Sequence, residues 1–451
     1  MARTPPSSPL IAVIGATGTG KSQLAIALAQ RYNGEIINGD AMQLYSGLPV
    51  ITNKITFEEQ QGVPHHLLGC IGLREQTWVV GTFVRNALKS IDEIRSRGKL
   101  PILVGGTHYY TQSLLFHDRL AEAQDGEGKE LQHADEEYED CPILQQSTET
   151  LLEELKKVDP VMAERWHPRD RRKIQRSLQI YLKTGEQASR VYAEQRQRKP
   201  AFTNGNAEHK VSVTRSPMRF PTLLFWVHAE TRALQERLDR RVDKMLDSGL
   251  LNEVRMLNAH AEAENLAGRS IDETRGIWVS IGYKEFKSYM TALESGSATT
   301  KELERLQAEA LDRTKAATRQ YAKRQVRWIR IKLVHALNEV DAASSLYILD
   351  GSDASAFDSA VIQPAATLAE DFLNGSALPS PEAAAPPSLA ELLKPKREYD
   401  VSARPETWTK QHCEICDVTC VVQEQWQQHV NSKAHKKLVS KRRKQAADGS
   451  K

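Results

Sequence analysis

Residues Gly15-Ala16-Thr17-Gly18-Thr19-Gly20-Lys21-Ser22 spell a complete G-x-x-x-x-G-K-[ST] phosphate loop. An apolar run, Leu10–Ile14, precedes it, and the helix-forming stretch Gln23–Ala29 follows. Strand, loop and helix therefore stand where the motif needs them, which commits the chain to an α/β architecture. Loop N–H groups and a helix N-terminus converge there on a bound anion. Lys21 adds a point charge, and the Ser22 hydroxyl can complete a Mg²⁺ shell. All eight residues are assigned to phosphate or diphosphate binding. The loop by itself leaves ATP, GTP or another diphosphate open.

Further apolar runs alternate with helical stretches: Glu35–Asn38, Leu100–Val104, Leu223–Val227 and, more weakly, Leu346–Leu349, with helices such as Phe83–Arg95 and Arg232–Met245 between. This predicts a parallel sheet with helices on both faces. Residues 8–117 and 219–350 are read as the catalytic domain. The Arg-rich stretch 143–200 reads as an inserted helical subdomain. Residues 118–142, which are acidic, and 197–218 read as loops. Residues 351–404, rich in Ala, Pro and Ser, read as a disordered linker before a compact module at 405–445.

The 451-residue chain has a formal net charge of +3, so nucleic-acid contacts must come from local patches rather than a global field. Five cysteines make no disulfide framework and suit a reducing compartment. No run of about 18 apolar residues predicts a membrane span. Met1–Pro9 has neither a signal-peptide apolar core nor a good transit helix. A cytoplasmic location is expected, with mitochondrial and nuclear pools open to the chain.

The spacing Cys413-x2-Cys416-x12-His429-x5-His435 offers two thiolates on a knuckle and two imidazoles on a helix, a tetrahedral structural Zn²⁺ site. Cys420 is a rival thiol nearby. Lys433, Lys436, Lys437, Lys441, Arg442, Arg443 and Lys444 follow with no acid among residues 433–445. That run suits phosphate contacts, nuclear import or both.

Asp40 closes the second strand on the rim where the phosphate loop opens. A carboxylate there can bind Mg²⁺ through water, act as a general base or cap a helix. The third strand ends in Val104-Gly105-Gly106-Thr107, which puts a hydroxyl on the same rim. Two basic stripes have helical spacing: Arg169, Arg172 and Arg176, and Lys315, Arg319, Lys323 and Arg327.

The phosphate loop, Asp40-x-Met42-Gln43-x-Tyr45-x-Gly47-Leu48, Gly62-Val63-Pro64-His65-His66, Val104-Gly105-Gly106-Thr107 and Ser280-Ile281-Gly282-Tyr283-Lys284-Glu285-Phe286 occur in this order. The set resembles the tRNA isopentenyltransferase family over roughly residues 8–335, and the C-terminal finger resembles the eukaryotic branch. The finger's spacing and ending are similar to those of fingers that bind structured RNA.

The resemblance implies that the loop holds dimethylallyl diphosphate, with Mg²⁺ at Ser22. It implies transfer of the dimethylallyl group to N6 of adenosine 37 in tRNA bearing adenosines 36, 37 and 38. Catalytic roles then fall to Asp40, Thr107 and a diphosphate-clamping arginine among Arg237, Arg240 and Arg241, of which Arg241 is favoured. tRNA contacts fall to Asp40, Ala41, Met42, Gln43, Arg172, Lys173, Arg176, Gly282, Tyr283, Lys284, Arg319, Lys323 and Arg324. Action as a monomer is expected. Ala41 departs from the family's usual serine. A small-molecule kinase and an RNA-binding NTPase switch are the rival readings.

Overall fold

The computed structural model describes residues 4–117, 141–197, 218–269, 271–395 and 410–448. The chain divides into two units, Met1–Leu120 with Val211–Lys396, and Ala121–Lys210 with Arg397–Lys451. The segments read as loops, 118–142 and 197–218, lie outside the described residues except at their ends.

In the first unit the strands are β1 (Leu10–Gly15), β2 (Gly34–Asn38), β3 (His65–His66), β4 (Leu100–Gly105), β5 (Thr222–His228) and β6 (Leu346–Asp350). They form one sheet in the order β3-β2-β4-β1-β5-β6, every pairing parallel. β1, β4 and the interior of β5 are apolar because both faces are covered, whereas β2 carries Glu35 and Asn38 and β3 is a pair of histidines. Alternate residues divide between two cores. Ala12, Ile14, Leu103, Leu224, Trp226 and Ile348 face one, while Ile11, Val13, Ile102, Phe225, Tyr347 and Leu349 face the other. β3, the short edge strand, falls in the Pro64-His65-His66 motif and has too few residues to show a period.

Helices are numbered along the whole chain. This unit holds α1 (Lys21–Arg31), α2 (Val80–Ser96), α3 (His108–Leu115), α8 (Thr231–Asp247), α9 (Leu250–Leu266), α10 (Tyr283–Ser295), α11 (Thr300–Trp328), α12 (Val334–Asn338), α13 (Gln363–Asn374) and α14 (Pro381–Ala384). No helix among the described residues is long and apolar enough to cross a membrane.

The linker reading of residues 351–404 is corrected as far as residue 395; residues 396–404 lie outside the described residues. Val361, Ala365, Ala366, Leu368 and Ala369 pack against Tyr347 and Leu349, so α13 covers a sheet face that would otherwise stay wet. Small residues suffice for this because helix and sheet approach closely, and Pro364 is tolerated in the first turn. Phe357 reaches beneath the phosphate loop. Gly20 has φ 92°, and a Cβ there would collide with the Phe357 ring.

The second unit contains α4 (Thr148–Val158), α5 (Pro160–Arg165), α6 (Arg171–Thr184) and α7 (Ala188–Gln197), joined around Leu151, Leu155, Met162, Ile174 and Leu178. Ser147, Asp159 and Asp170 cap α4, α5 and α6 through their side chains. Arg169 therefore precedes the α6 cap and does not share a helix face with Arg172 and Arg176, as the spacing had implied. The unit also holds the hairpin β7 (Gln411–Cys413) and β8 (Val418–Cys420), followed by α15 (Gln423–Asn431) and α16 (Lys433–Asp448).

Candidate active site at the strand ends

The carboxyl ends of β1, β2 and β4 deliver the phosphate loop, Asp40 and Gly106-Thr107 to one rim, as a parallel sheet requires. Within the loop, Thr19 Oγ1 donates to Ala16 O at 3.0 Å and Lys21 Nζ donates to the same carbonyl at 2.7 Å. Burial pulls the Lys21 pKa down to about 8; Asp40 opposes the shift and Arg241 adds to it. Ser22 is exposed on the first turn of α1, so its hydroxyl is accessible.

Of the roles open to Asp40, the structure shows the one towards backbone N–H groups. Oδ1 accepts from the N–H of Met42, the first residue of the short turn Met42–Leu44, at 3.0 Å. Oδ2 faces Gly106. The Asn38 side chain fixes the approach: Oδ1 accepts from Asp40 N and Nδ2 donates to Asp40 O, both at 3.0 Å. Desolvation raises the Asp40 pKa above the ordinary carboxylate value, while Met42 N and Lys21 restrain the rise. Thr107 Oγ1 accepts from Ala41 N at 3.0 Å, joining the β2 and β4 loops.

The three arginines of α8 part company. Arg241 Nη1 donates to Thr17 Oγ1 at 2.8 Å, and burial takes its pKa down to about 10 against the pull of Asp40. Arg237 instead donates to Gly351 O at 2.6 Å and to Ser352 O. Arg240 is exposed. The second basic stripe lies on α11, but its first half is committed. Lys315 meets Asp243 at 2.6 Å, and Arg319 meets both oxygens of Asp239 at 2.5 and 2.7 Å. Lys323, Arg324 and Arg327 are exposed.

Gln43 Nε2 donates to Asn53 O at 3.0 Å. That residue belongs to a turn whose Val50 and Ile51 N–H groups are held by the Glu253 carboxylate of α9. Ala41 and Met42 flank it, half-buried. Of the Gly282-Tyr283-Lys284 trio, Lys284 is exposed. Tyr283 is 1% exposed and packs on Trp278, so its expected tRNA contact is corrected to a place in the core. Gly282 is likewise buried. In the second unit Arg172 and Lys173 are exposed and Arg176 is half-buried.

Sequence reasoning missed Gln325, Tyr321 and Phe357. Gln325 and Tyr321 were legible in part: Thr314, Thr318, Ala322 and Gln325 recur at helical spacing as a buried stripe of α11. A polar stripe facing inward signals a partner in the interior.

Cys413, Cys416, His429 and His435 bring one donor atom each to within 4.8 Å of one another. That donor set fits a tetrahedral Zn²⁺. Cys420 is buried in the hairpin and lies outside the cluster. The histidines do not share a helix. α15 stops at Ser432, which turns extended (ψ 147°), and His435 starts afresh on α16. The x5 gap thus accommodates a break that lets both imidazoles point inward.

A family profile described as "IPP transferase" matches residues 43–332, one described as "Isopentenyl transferase" matches 9–71, and "Zinc-finger double-stranded RNA-binding" matches 413–436. The chain is 37% identical to the tRNA dimethylallyltransferase of Schizosaccharomyces pombe, covering 97% of this chain and 96% of that one. It is 33% identical to the Homo sapiens protein of the same name, covering 98% and 88%. A solved eukaryotic dimethylallyltransferase, described as acting on tRNA, superposes with a TM-score of 0.73 at 33% identity, covering 98% and 99%. Carrying the phosphate loop, the paired rim residues and the finger in one chain that aligns from end to end with these proteins, it belongs to the tRNA dimethylallyltransferase family.

Proposed function

We propose that the chain transfers the dimethylallyl group of dimethylallyl diphosphate to N6 of adenosine 37 in the tRNA anticodon loop, giving N6-isopentenyladenosine and pyrophosphate. The observation that carries this is one electrostatic cluster at the strand ends, in which Asp40 faces Lys21 and Arg241. The N6 amine attacks the allylic carbon. The N–C bond forms as the C–O bond to diphosphate breaks, and the electron pair leaves with pyrophosphate. The N6 proton passes to Asp40, whose raised pKa makes it a better acceptor than an ordinary carboxylate. Lys21, Arg241 and the loop N–H groups stabilise charge gathering on the leaving group. Mg²⁺ held through Ser22 and the diphosphate would add charge neutralisation there.

An adenine stacked in the anticodon loop cannot reach this rim, so the base must be extruded. Gln43, beside Asp40, is placed to read the splayed bases around adenosine 37. Lys284, Lys323 and Arg324, with Arg172, Lys173 and Arg176, supply phosphate contacts. Arg319 is tied to Asp239, so a phosphate there must compete for it. The Zn²⁺-bound finger and its basic tail add structured-RNA affinity. We propose a cytoplasmic location, with mitochondrial and nuclear pools open to the chain and the basic run available as a nuclear signal.

The test mixes the full chain with Mg²⁺, labelled dimethylallyl diphosphate and unmodified tRNA bearing adenosines 36, 37 and 38. Label should move to tRNA, and Asp40→Asn should lower the single-turnover rate by about 10²–10⁴. ATP consumption without label transfer sinks the reading.

A further inference from the structure

Gln325 on α11 is 4% exposed, and its carboxamide joins two loops far away in sequence. Oε1 accepts from Thr17 N at 2.8 Å, and Nε2 donates to Gly106 O at 2.9 Å. Thr17 is the third residue of the phosphate loop. Gly106 leads into Thr107, and a Cβ on it would collide with Gln325 Nε2 and press on Asp40 Oδ2. The Tyr321 hydroxyl, one turn earlier on α11, faces both Thr107 and Gln325. The carboxamide therefore sits between the side that grips the diphosphate and the side that takes the proton. Its use is directional, with the acceptor end towards an N–H and the donor end towards a carbonyl. Rotating the amide would set like against like at both ends.

We propose that Gln325 is a positioning residue for the transfer: it fixes the phosphate loop against the Asp40–Thr107 side, so that diphosphate and proton acceptor are held at a set separation. This rests on the dimethylallyl-transfer reading of the site.

Gln325→Glu separates positioning from space-filling. A protonated carboxyl reproduces the carboxamide, with its C=O accepting from Thr17 N–H and its O–H donating to Gly106 O. An ionised carboxylate cannot donate to Gly106 and repels the diphosphate. Burial at this position raises the pKa of such a group. With the full chain, KM for dimethylallyl diphosphate is measured from pH 5.5 to 8 as a ratio to wild type. We expect a ratio of about 2 at the acid end, rising to about 10 or more at pH 8, tenfold being one lost hydrogen bond of ordinary strength. Gln325→Leu should give a ratio of about 100 that is flat with pH, both contacts being absent at about tenfold each. KM for tRNA should stay within about twofold of wild type in both. A Glu variant within twofold of wild type across the whole pH range, or a Leu variant within twofold of wild type, overturns the proposal.

Should the Glu variant not fold at pH 8, Gln325→Asn, shorter by one methylene and uncharged, should still raise KM about tenfold by losing one contact. Binding of inorganic pyrophosphate, followed by calorimetry, reads the same anchor without any transfer. If the wild type transfers nothing yet pyrophosphate affinity follows the variants as stated, the transfer reading falls and Gln325 remains an anchor of the phosphate loop only. If transfer proceeds and neither measurement responds, Gln325 loses it.

Discussion

The turn that supports Gln43 depends on one carboxylate from a distant helix. Glu253 is 6% exposed, and its two oxygens accept from Val50 N at 2.8 Å and Ile51 N at 2.7 Å. Hydrogen bonds to a charged acceptor contribute about 1.5–3 kcal/mol each, and a buried N–H left without a partner costs a similar amount. Glu253→Gln keeps one acceptor but turns an amide N–H₂ towards the other N–H. Loss of one bond plus this clash gives about 2–4 kcal/mol. Glu253→Ala orphans both donors, for about 3–6 kcal/mol. Urea titration followed by tryptophan fluorescence reads this unit through the buried Trp226 and Trp278. The order of stability should be wild type, Gln, then Ala. Because Gln43 is anchored on Asn53 of the same turn, KM for tRNA should also rise in the Gln variant, by about tenfold if the whole Gln43 bond is lost. The single-turnover rate at saturating tRNA should change far less. A Gln variant within about 0.5 kcal/mol of wild type, the range of an ordinary surface change, refutes the reasoning.

Three further outcomes follow from charged groups and the finger. Because burial lowers the Lys21 pKa to about 8, its charge is present below that pH and lost above it, so kcat/KM for dimethylallyl diphosphate should fall as pH rises through about 8; a profile flat to pH 10 counts against the assignment. Glu35, held to about 2 despite its burial by bonds from Arg97, Lys99 and His66, contributes stability that is present above its unfolded pKa of about 4.5 and is lost as pH falls towards 2. Urea midpoints should show about 1.4 kcal/mol of that contribution gone by pH 3.5, and Glu35→Gln should lack this part of the acid slope. Chelation with a strong Zn²⁺ ligand should unfold residues 410–435 and weaken tRNA binding, with the single-turnover rate at saturating tRNA largely kept. A large loss of that rate would assign the finger to the chemical step.

The phosphate loop, the strand ends and the Cys/His cluster were legible because their chemistry is local. Eight adjacent residues spell the loop, and a strand end must be followed by a rim residue. What stayed hidden depends on surfaces that no window of sequence contains. α13 reads as low complexity because Ala365, Ala366 and Ala369 announce no core; the bare face of β6 makes them one. Gln325 reads as a neighbour of basic residues, since its partners lie 308 and 219 positions away. Arg319 carries the right charge, but Asp239 is a contact that no local spacing shows. Tyr283 sits in a shared motif for packing, which the motif alone cannot distinguish from contact with RNA.

The distance between the phosphate loop and its supports sets an order of events during synthesis. Residues 15–22 emerge first. Arg241, Gln325 and Phe357, which brace them, follow more than 200 residues later. At about 5–20 residues per second, the ribosome leaves some 15–70 s between the loop and Phe357. A nascent chain, or a fragment broken off before residue 241, carries the full motif without any of these braces. The loop's conformation is therefore completed only when these distant residues have been made and have folded onto it.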